Sequence, residues 1–153
     1  MPSIRSAASH RLRTGRHSQA GRIYLITTVT HNRQPLFGEL EPGRILVNAL
    51  QQVQPSATTL AYVVMPDHLH WLMQLQPDHE LSTTVRLVKA LTSRRLRLQQ
   101  AGPQPVWQRG FYDRALRYDA DLKAMTRYVL ANPVRAGLVG SVRSYSLWDC
   151  CWL

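Results

Sequence analysis

Cysteine is nearly absent from this 153-residue chain, and its two examples, Cys150 and Cys151, are adjacent. Neighbouring cysteines near one end make neither a disulfide framework nor a four-thiolate metal site, so a reducing, cytoplasmic setting is expected. Acid is scarce as well: nine Asp and Glu stand against 19 Lys and Arg, for a net charge of +10. A field of that sign favours anionic partners, nucleic acid first and an anionic membrane surface second. No apolar run approaches the roughly 20 residues of a membrane span. The first residues lack the apolar segment of a secretory signal. Internal repeats, low-complexity tracts and linker-like stretches are missing too, so one domain with one core is expected.

What is present divides at about residue 21. Residues 1–21 carry Arg5, Arg11, Arg13 and Arg16 without a single acid, which predicts a flexible basic arm suited to phosphates. The single domain is expected over 22–153, and Arg22 at its start adds another candidate phosphate contact. Ile23 to Thr30 is β-branched and aromatic, as in a buried strand. Pro42 to Val53 places Ile45, Leu46, Ala49, Leu50 and Val53 at helical spacing. Leu60 to Met65 and His68 to Leu75 read as two strands of a hairpin around Pro66-Asp67. Ser82 is the expected cap of a helix running to about Gln100, before Gly102-Pro103. Phe111 to Arg117 reads as a short strand, and a last helix should run from Asp119 or Asp121 to Asn132, stopped by Pro133.

The order β-α-β-β-α-β-α is that of an α+β, ferredoxin-like split βαβ unit with one added helix. Its sheet would be antiparallel, with helices on one or both faces. The Ser82 helix has one apolar face and one carrying Arg86, Lys89, Arg94, Arg95 and Arg97. No acid occurs between Leu81 and Tyr112, so this face is expected to meet phosphates.

Two histidines carry the chemistry. Alternate residues of a strand share a face, which puts His68 and His70 on one side about 7 Å apart at Cα. Leu69, Trp71, Met73 and Leu75 then point the other way, into the core, and the histidine face is expected to be wet. A lone strand histidine reads as structural, whereas two at i and i+2 beside a turn read as a site for a divalent ion. A histidine-triad hydrolase needs a third histidine where Leu72 stands, and the His-Glu-x-x-His of a zinc protease is absent. A catalytic metal with open coordination positions remains. In the last helix Tyr128 and Asn132 stand at i and i+4, at the border of a stripe formed by Leu122, Met125 and Val129. From there a tyrosine hydroxyl could reach across the sheet toward the histidines, and Asn132 could offer a carbonyl oxygen. Taken alone, such a tyrosine reads as a packed aromatic.

Three segments together narrow these options. Val64-Met-Pro-Asp-His-Leu-His-Trp-Leu72 resembles the His-hydrophobic-His (HUH) motif of single-tyrosine transposases. Val106-Trp-Gln-Arg-Gly-Phe-Tyr-Asp-Arg-Ala-Leu-Arg117 and Tyr128-Val-Leu-Ala-Asn-Pro-Val-Arg-Ala-Gly-Leu-Val139 resemble two further blocks of the REP-associated tyrosine transposases. The likeness covers about Arg22 to Trp148. Asp149-Cys150 departs from the serines that usually follow, and the long C-terminal tail of some relatives is not expected.

The resemblance implies the HUH endonuclease fold and a nucleophile at the tyrosine four residues before Asn-Pro, here Tyr128. Tyr112 and Tyr118 lack an Asn at i+4. It implies Mg²⁺ or Mn²⁺ held by His68, His70 and Asn132, and a 5′-phosphotyrosine intermediate with a free 3′-hydroxyl. It implies a single-stranded DNA partner bearing a repetitive extragenic palindrome (REP) hairpin. No membrane and no obligatory protein partner are expected, so the protein should be a monomer in the bacterial cytoplasm, near the nucleoid. Other classes stay open: a DNA-binding regulator that keeps the fold without its chemistry, a metal-dependent nuclease using water, and a structural nucleic-acid binder.

Overall fold

The alternation of side chains along the central strand sets the architecture. In the computed structural model, which describes residues 21–117 and 119–151, β1 (Ile23–Val29), β2 (Ala57–Met65), β3 (His68–Leu75), β4 (Tyr112–Ala115) and β5 (Trp148–Cys150) form one sheet in the order β4-β1-β3-β2-β5. Every pairing is antiparallel. The first four strands have the ferredoxin-like order that the element pattern predicts. The helices are α1 (Leu40–Gln52), α2 (Leu81–Leu98), α3 (Asp119–Leu130) and the short α4 (Asn132–Arg135). The arm arginines Arg11, Arg13 and Arg16, and Tyr118, lie outside the described residues.

One face of β3 presents Leu69, Trp71, Met73 and Leu75 to a core shared with Leu46 and Leu50 of α1 and with Val85, Val88 and Leu96 of α2. Trp71 is fully buried, and its indole N–H donates to Thr59 Oγ1 at 2.9 Å. The other face presents His68, His70 and Leu72. Leu72 joins Leu25, Ala61, Val63 and Met65 against Met125, Val129 and Leu130 of α3. Both faces are therefore covered, and β3 is buried along almost its whole length for that reason.

Several boundaries differ from expectation. α2 starts at Leu81 with Glu80 in the capping position, and Ser82 lies inside the helix. β2 starts three residues early, at Ala57, because it pairs there with Leu75. β4 is confined to Tyr112–Ala115, the length opposite Tyr24–Thr27 of β1. β5 has only three residues and no alternating pattern to announce it; it adds to the outer edge of β2. Among the described residues no helix is long and apolar enough to cross a membrane.

Truncating the indole tests this core. Trp71→Ala should lower unfolding free energy by about 3–5 kcal/mol, read as a lower urea midpoint with the slope unchanged.

Candidate metal and nucleophile site

His68 and His70 do share a face, but it is not wet: they are 8% and 3% exposed. The correction has a simple cause, since helix α3 and the sheet's own apolar residues cover the side that polar neighbours were expected to hydrate. The rings meet edge to face, with centroids 4.8 Å apart. Each Nδ1 is held. The Nδ1–H of His68 donates to Asp67 Oδ1 at 2.7 Å, and His70 Nδ1 shares a hydrogen bond of 3.0 Å with Thr27 Oγ1. Both Nε2 atoms are buried without any partner.

Buried polar atoms are almost always paired, so two bare ring nitrogens side by side call for a reason. A divalent ion supplies one. Metal-bound histidines commonly anchor one ring nitrogen on a carboxylate or hydroxyl and leave the other to the ion. Asp67 in turn accepts from the Arg33 guanidinium at 3.0 Å. Among the described residues no three His, Cys, Asp or Glu side chains are grouped to hold a metal. Two bare imidazole nitrogens alone would leave most coordination positions of an ion open, a donor set that fits a catalytic ion better than a closed structural cage.

Tyr128 and Asn132 do not share one continuous helix, contrary to expectation. α3 ends at Leu130 and Asn132 opens α4. Pro133 explains the break, because it has no N–H for the Val129 carbonyl four residues earlier. The Asn132 side-chain amide donates to that carbonyl instead, at 3.2 Å. Asn132 therefore has a helix-ending task, and its side-chain oxygen is the end left over for a ligand. Arg135, one turn further on, donates to the Tyr128 carbonyl at 2.7 Å and lays its guanidinium 4.1 Å from the Tyr128 ring centroid. Tyr128 itself is 48% exposed, so it is no packed core aromatic. Both α3 and α4 pack on β2, the strand beside the histidines.

The candidate phosphate contacts are scattered. Arg22 precedes β1 at the end of the sheet away from His68. Lys89 is a correction: its ammonium donates to the Gln108 and Gly110 carbonyls at 2.7 and 2.8 Å, so it ties the Trp107 loop to α2. Arg86, Arg94 and Arg95 are exposed, on the helix covering the face opposite the histidines. Arg94 and Arg95 line a cleft with Arg44, Asn48 and Gln52 of α1. Sequence reasoning passed over Thr27, Arg33 and Asp67 as functional residues. Asp67 adjoins His68 and was legible only as a turn; Thr27 meets His70 through pairing across 43 positions.

Burial, with the nearby charges of His68 and Arg135, pushes the His70 pKa from 6.5 down to about 3. Burial also lowers His68, against the opposing pull of Asp67. Burial raises Asp67, but the hydrogen bonds and charges of His68 and Arg33 outweigh it and leave the carboxyl low. The unfolded chain thus binds more protons than the folded one below pH 6.5. In metal-free buffer, stability should be full above about pH 6.5 and fall as pH drops toward 3. His70→Leu should flatten the fall in urea midpoint between pH 7 and 4; a wild-type midpoint constant over that range would contradict buried neutral imidazoles.

The model of the family described as "Transposase IS200 like" matches residues 19–132. A REP-associated tyrosine transposase of Haemophilus influenzae is 32% identical over 98 residues, 57% of this chain and 55% of the relative. One from Escherichia coli K12 is 29% identical over 86 residues, 56% of this chain and 49% of the relative. The chain spans about half the length of the curated relatives it matches. Among solved structures, a REP-associated tyrosine transposase bound to a REP hairpin has a TM-score of 0.74 at 23% identity, covering 97% of this chain and 82% of that one. That likeness bears out the α+β fold. With the family match spanning the first four strands, the histidine pair and Tyr128, the chain belongs to the IS200-like transposase family.

Proposed function

We propose that this protein cuts and rejoins single-stranded DNA, with Tyr128 as nucleophile and the His68–His70 pair as the seat of a divalent ion. The observation that carries the reading is the pair of bare, buried Nε2 atoms beside a helix break that presents an exposed tyrosine. His68 and His70 would hold the ion, with the Asn132 carbonyl oxygen as a third ligand suited to Mg²⁺ or Mn²⁺. Bound there, it would neutralise charge developing on the scissile phosphate.

The chain's own residues do the rest. Asp67 and Thr27 fix the imidazole orientations. Tyr128 Oη forms a bond to phosphorus as the bond from phosphorus to the 3′-oxygen breaks. The phenolic proton passes to solvent, and the departing oxygen takes up a proton to become a 3′-hydroxyl. One phosphoester replaces another, so a 3′-hydroxyl can reverse the step with a new partner strand. Arg135 holds both the backbone and the ring of Tyr128, which limits the orientations of the nucleophile.

The relative bound to a REP hairpin supports single-stranded DNA with a REP-like hairpin as substrate. Arg86, Arg94, Arg95 and Arg44 would meet its phosphates, together with the arginines of residues 1–21. The working form is a monomer in the cytoplasm, acting on the bacterial chromosome.

Incubation with Mn²⁺ and a hairpin oligonucleotide, labelled 3′ of the cut, should yield a labelled protein band in a denaturing gel. Tyr128→Phe should abolish that band. Cleavage that survives in Tyr128→Phe without an adduct would show hydrolysis by water instead. Arg135→Gln should slow adduct formation about 10- to 100-fold at saturating DNA, and Arg135→Lys should recover part of the loss.

A further inference from the structure

Tyr112 and Arg114 belong to the histidine face, although they lie on the far edge strand. Tyr112 pairs with Thr27, which pairs with His70, and Arg114 pairs with Leu25, which pairs with Leu72. Directly opposed residues of neighbouring strands project to the same side, so all six share one face. Two strand spacings put Tyr112 about 10 Å from His70 at Cα. Tyr112 is partly exposed and Arg114 exposed.

Arg33 completes the patch. Its side chain, 53% exposed, reaches Asp67 beside His68, and its charge is also felt at the Tyr112 hydroxyl. The backbone that carries it is unusual, with Asn32 and Arg33 both left-handed at φ 54° and 50°. Thr30 Oγ1 pins that loop through the carbonyls of Gln34 and Asp67, at 2.8 and 3.1 Å. Strained non-glycine backbone of this kind persists where surroundings enforce it, and often at functional sites. Here it holds a cation beside the histidine pair, with several N–H donors beyond the one given to Asp67.

In-line displacement requires the attacking and leaving oxygens on opposite sides of phosphorus. α3 and α4, which carry Tyr128 and its Arg135, make their main sheet contact on β2, to one side of β3. An attack from that side would send the leaving oxygen, with its strand attached, toward the other side, over β1 and β4. We propose that Arg33, Tyr112 and Arg114 form the seat of the strand that ends in the new 3′-hydroxyl: Tyr112 stacks on a base, and the two arginines pair with phosphates. An aromatic flanked by arginines suits single-stranded nucleic acid of any sequence. Holding that strand keeps its hydroxyl at hand for rejoining. The inference rests on the strand-transfer reading above and adds to it a separate subsite for the departing strand.

The test uses a short single strand ending in a 3′-hydroxyl, with 2-aminopurine as its last base. On binding wild-type protein its fluorescence should be quenched by stacking. Tyr112→Leu should abolish the quench and weaken binding about 5- to 100-fold, while Tyr112→Phe should retain both. Arg114→Gln should reduce the slope of log affinity against log salt by about 0.7. In adduct assays Tyr112→Leu should lower the ratio of rejoined to cleaved DNA about tenfold. Equal binding by Tyr112→Leu and wild type, or equal loss in Tyr112→Phe and Tyr112→Leu, would overturn the seat; the edge strand would then carry Arg114 only as protection against strand addition. Thermal melts of each variant separate loss of the seat from loss of the fold. Binding needs no chemistry, so the two readings fail separately: adduct without Tyr112-dependent quenching removes the seat, and quenching without adduct removes strand transfer.

Discussion

Each imidazole at the candidate site is tied down at Nδ1, and this pair of hydrogen bonds is the constraint on which the geometry of the site depends. Without Asp67 and Thr27, the rings could turn Nδ1 or Nε2 toward one another or toward solvent. With them, both Nε2 atoms stay bare inside apolar packing. Leaving two such atoms unpaired is unfavourable by an amount a folded protein tolerates only where something compensates. The same burial that makes them costly keeps them neutral, which is the state a metal ligand requires.

The helix break after Leu130 shows how a motif of ordinary residues acquires specific tasks. Pro133 removes one backbone donor, Asn132 replaces it with its side-chain amide, and Arg135 covers the carbonyl of Tyr128. The segment reads as a signature in the sequence, yet Asn132 and Arg135 each answer the hydrogen-bonding needs of backbone carbonyls at the helix end. That structural work and the proposed roles do not conflict. Asn132 uses its nitrogen for the helix and keeps an oxygen, while Arg135 uses one nitrogen for the backbone and a flat face for the ring.

The sheet separates two kinds of surface. The arginines of α2 and the cleft with α1 lie on one side; the histidines, Tyr128, Tyr112 and Arg33 lie on or beside the other. DNA that engages both must pass around an end or edge of the sheet. At the end where β3 begins, the loops tie the two sides together: Gly102, just past α2, lies against Leu36, and the N–H of the next residue, Phe37, donates to the Pro66 carbonyl.

Much of this was legible in the sequence because the signals are local. Period-two alternation put His68 and His70 on one face and Trp71 in the core; the element order implied the antiparallel α+β sheet; Tyr128 became a candidate only through the likeness of its segment to a family block. Lys89 misled because charge on a helix face says nothing of the carbonyls that a loop brings to it. β5 escaped because three residues carry no period. What only the tertiary structure decided was non-local: Thr27 beneath His70, Arg33 on Asp67, Tyr112 in the histidine row, and a covered rather than wet face. Strand register and helix placement join residues tens of positions apart, and no pattern within a segment encodes its partner. Sequence by itself therefore determined which residues are the candidates for chemistry; the fold decided which of their atoms are left without a partner.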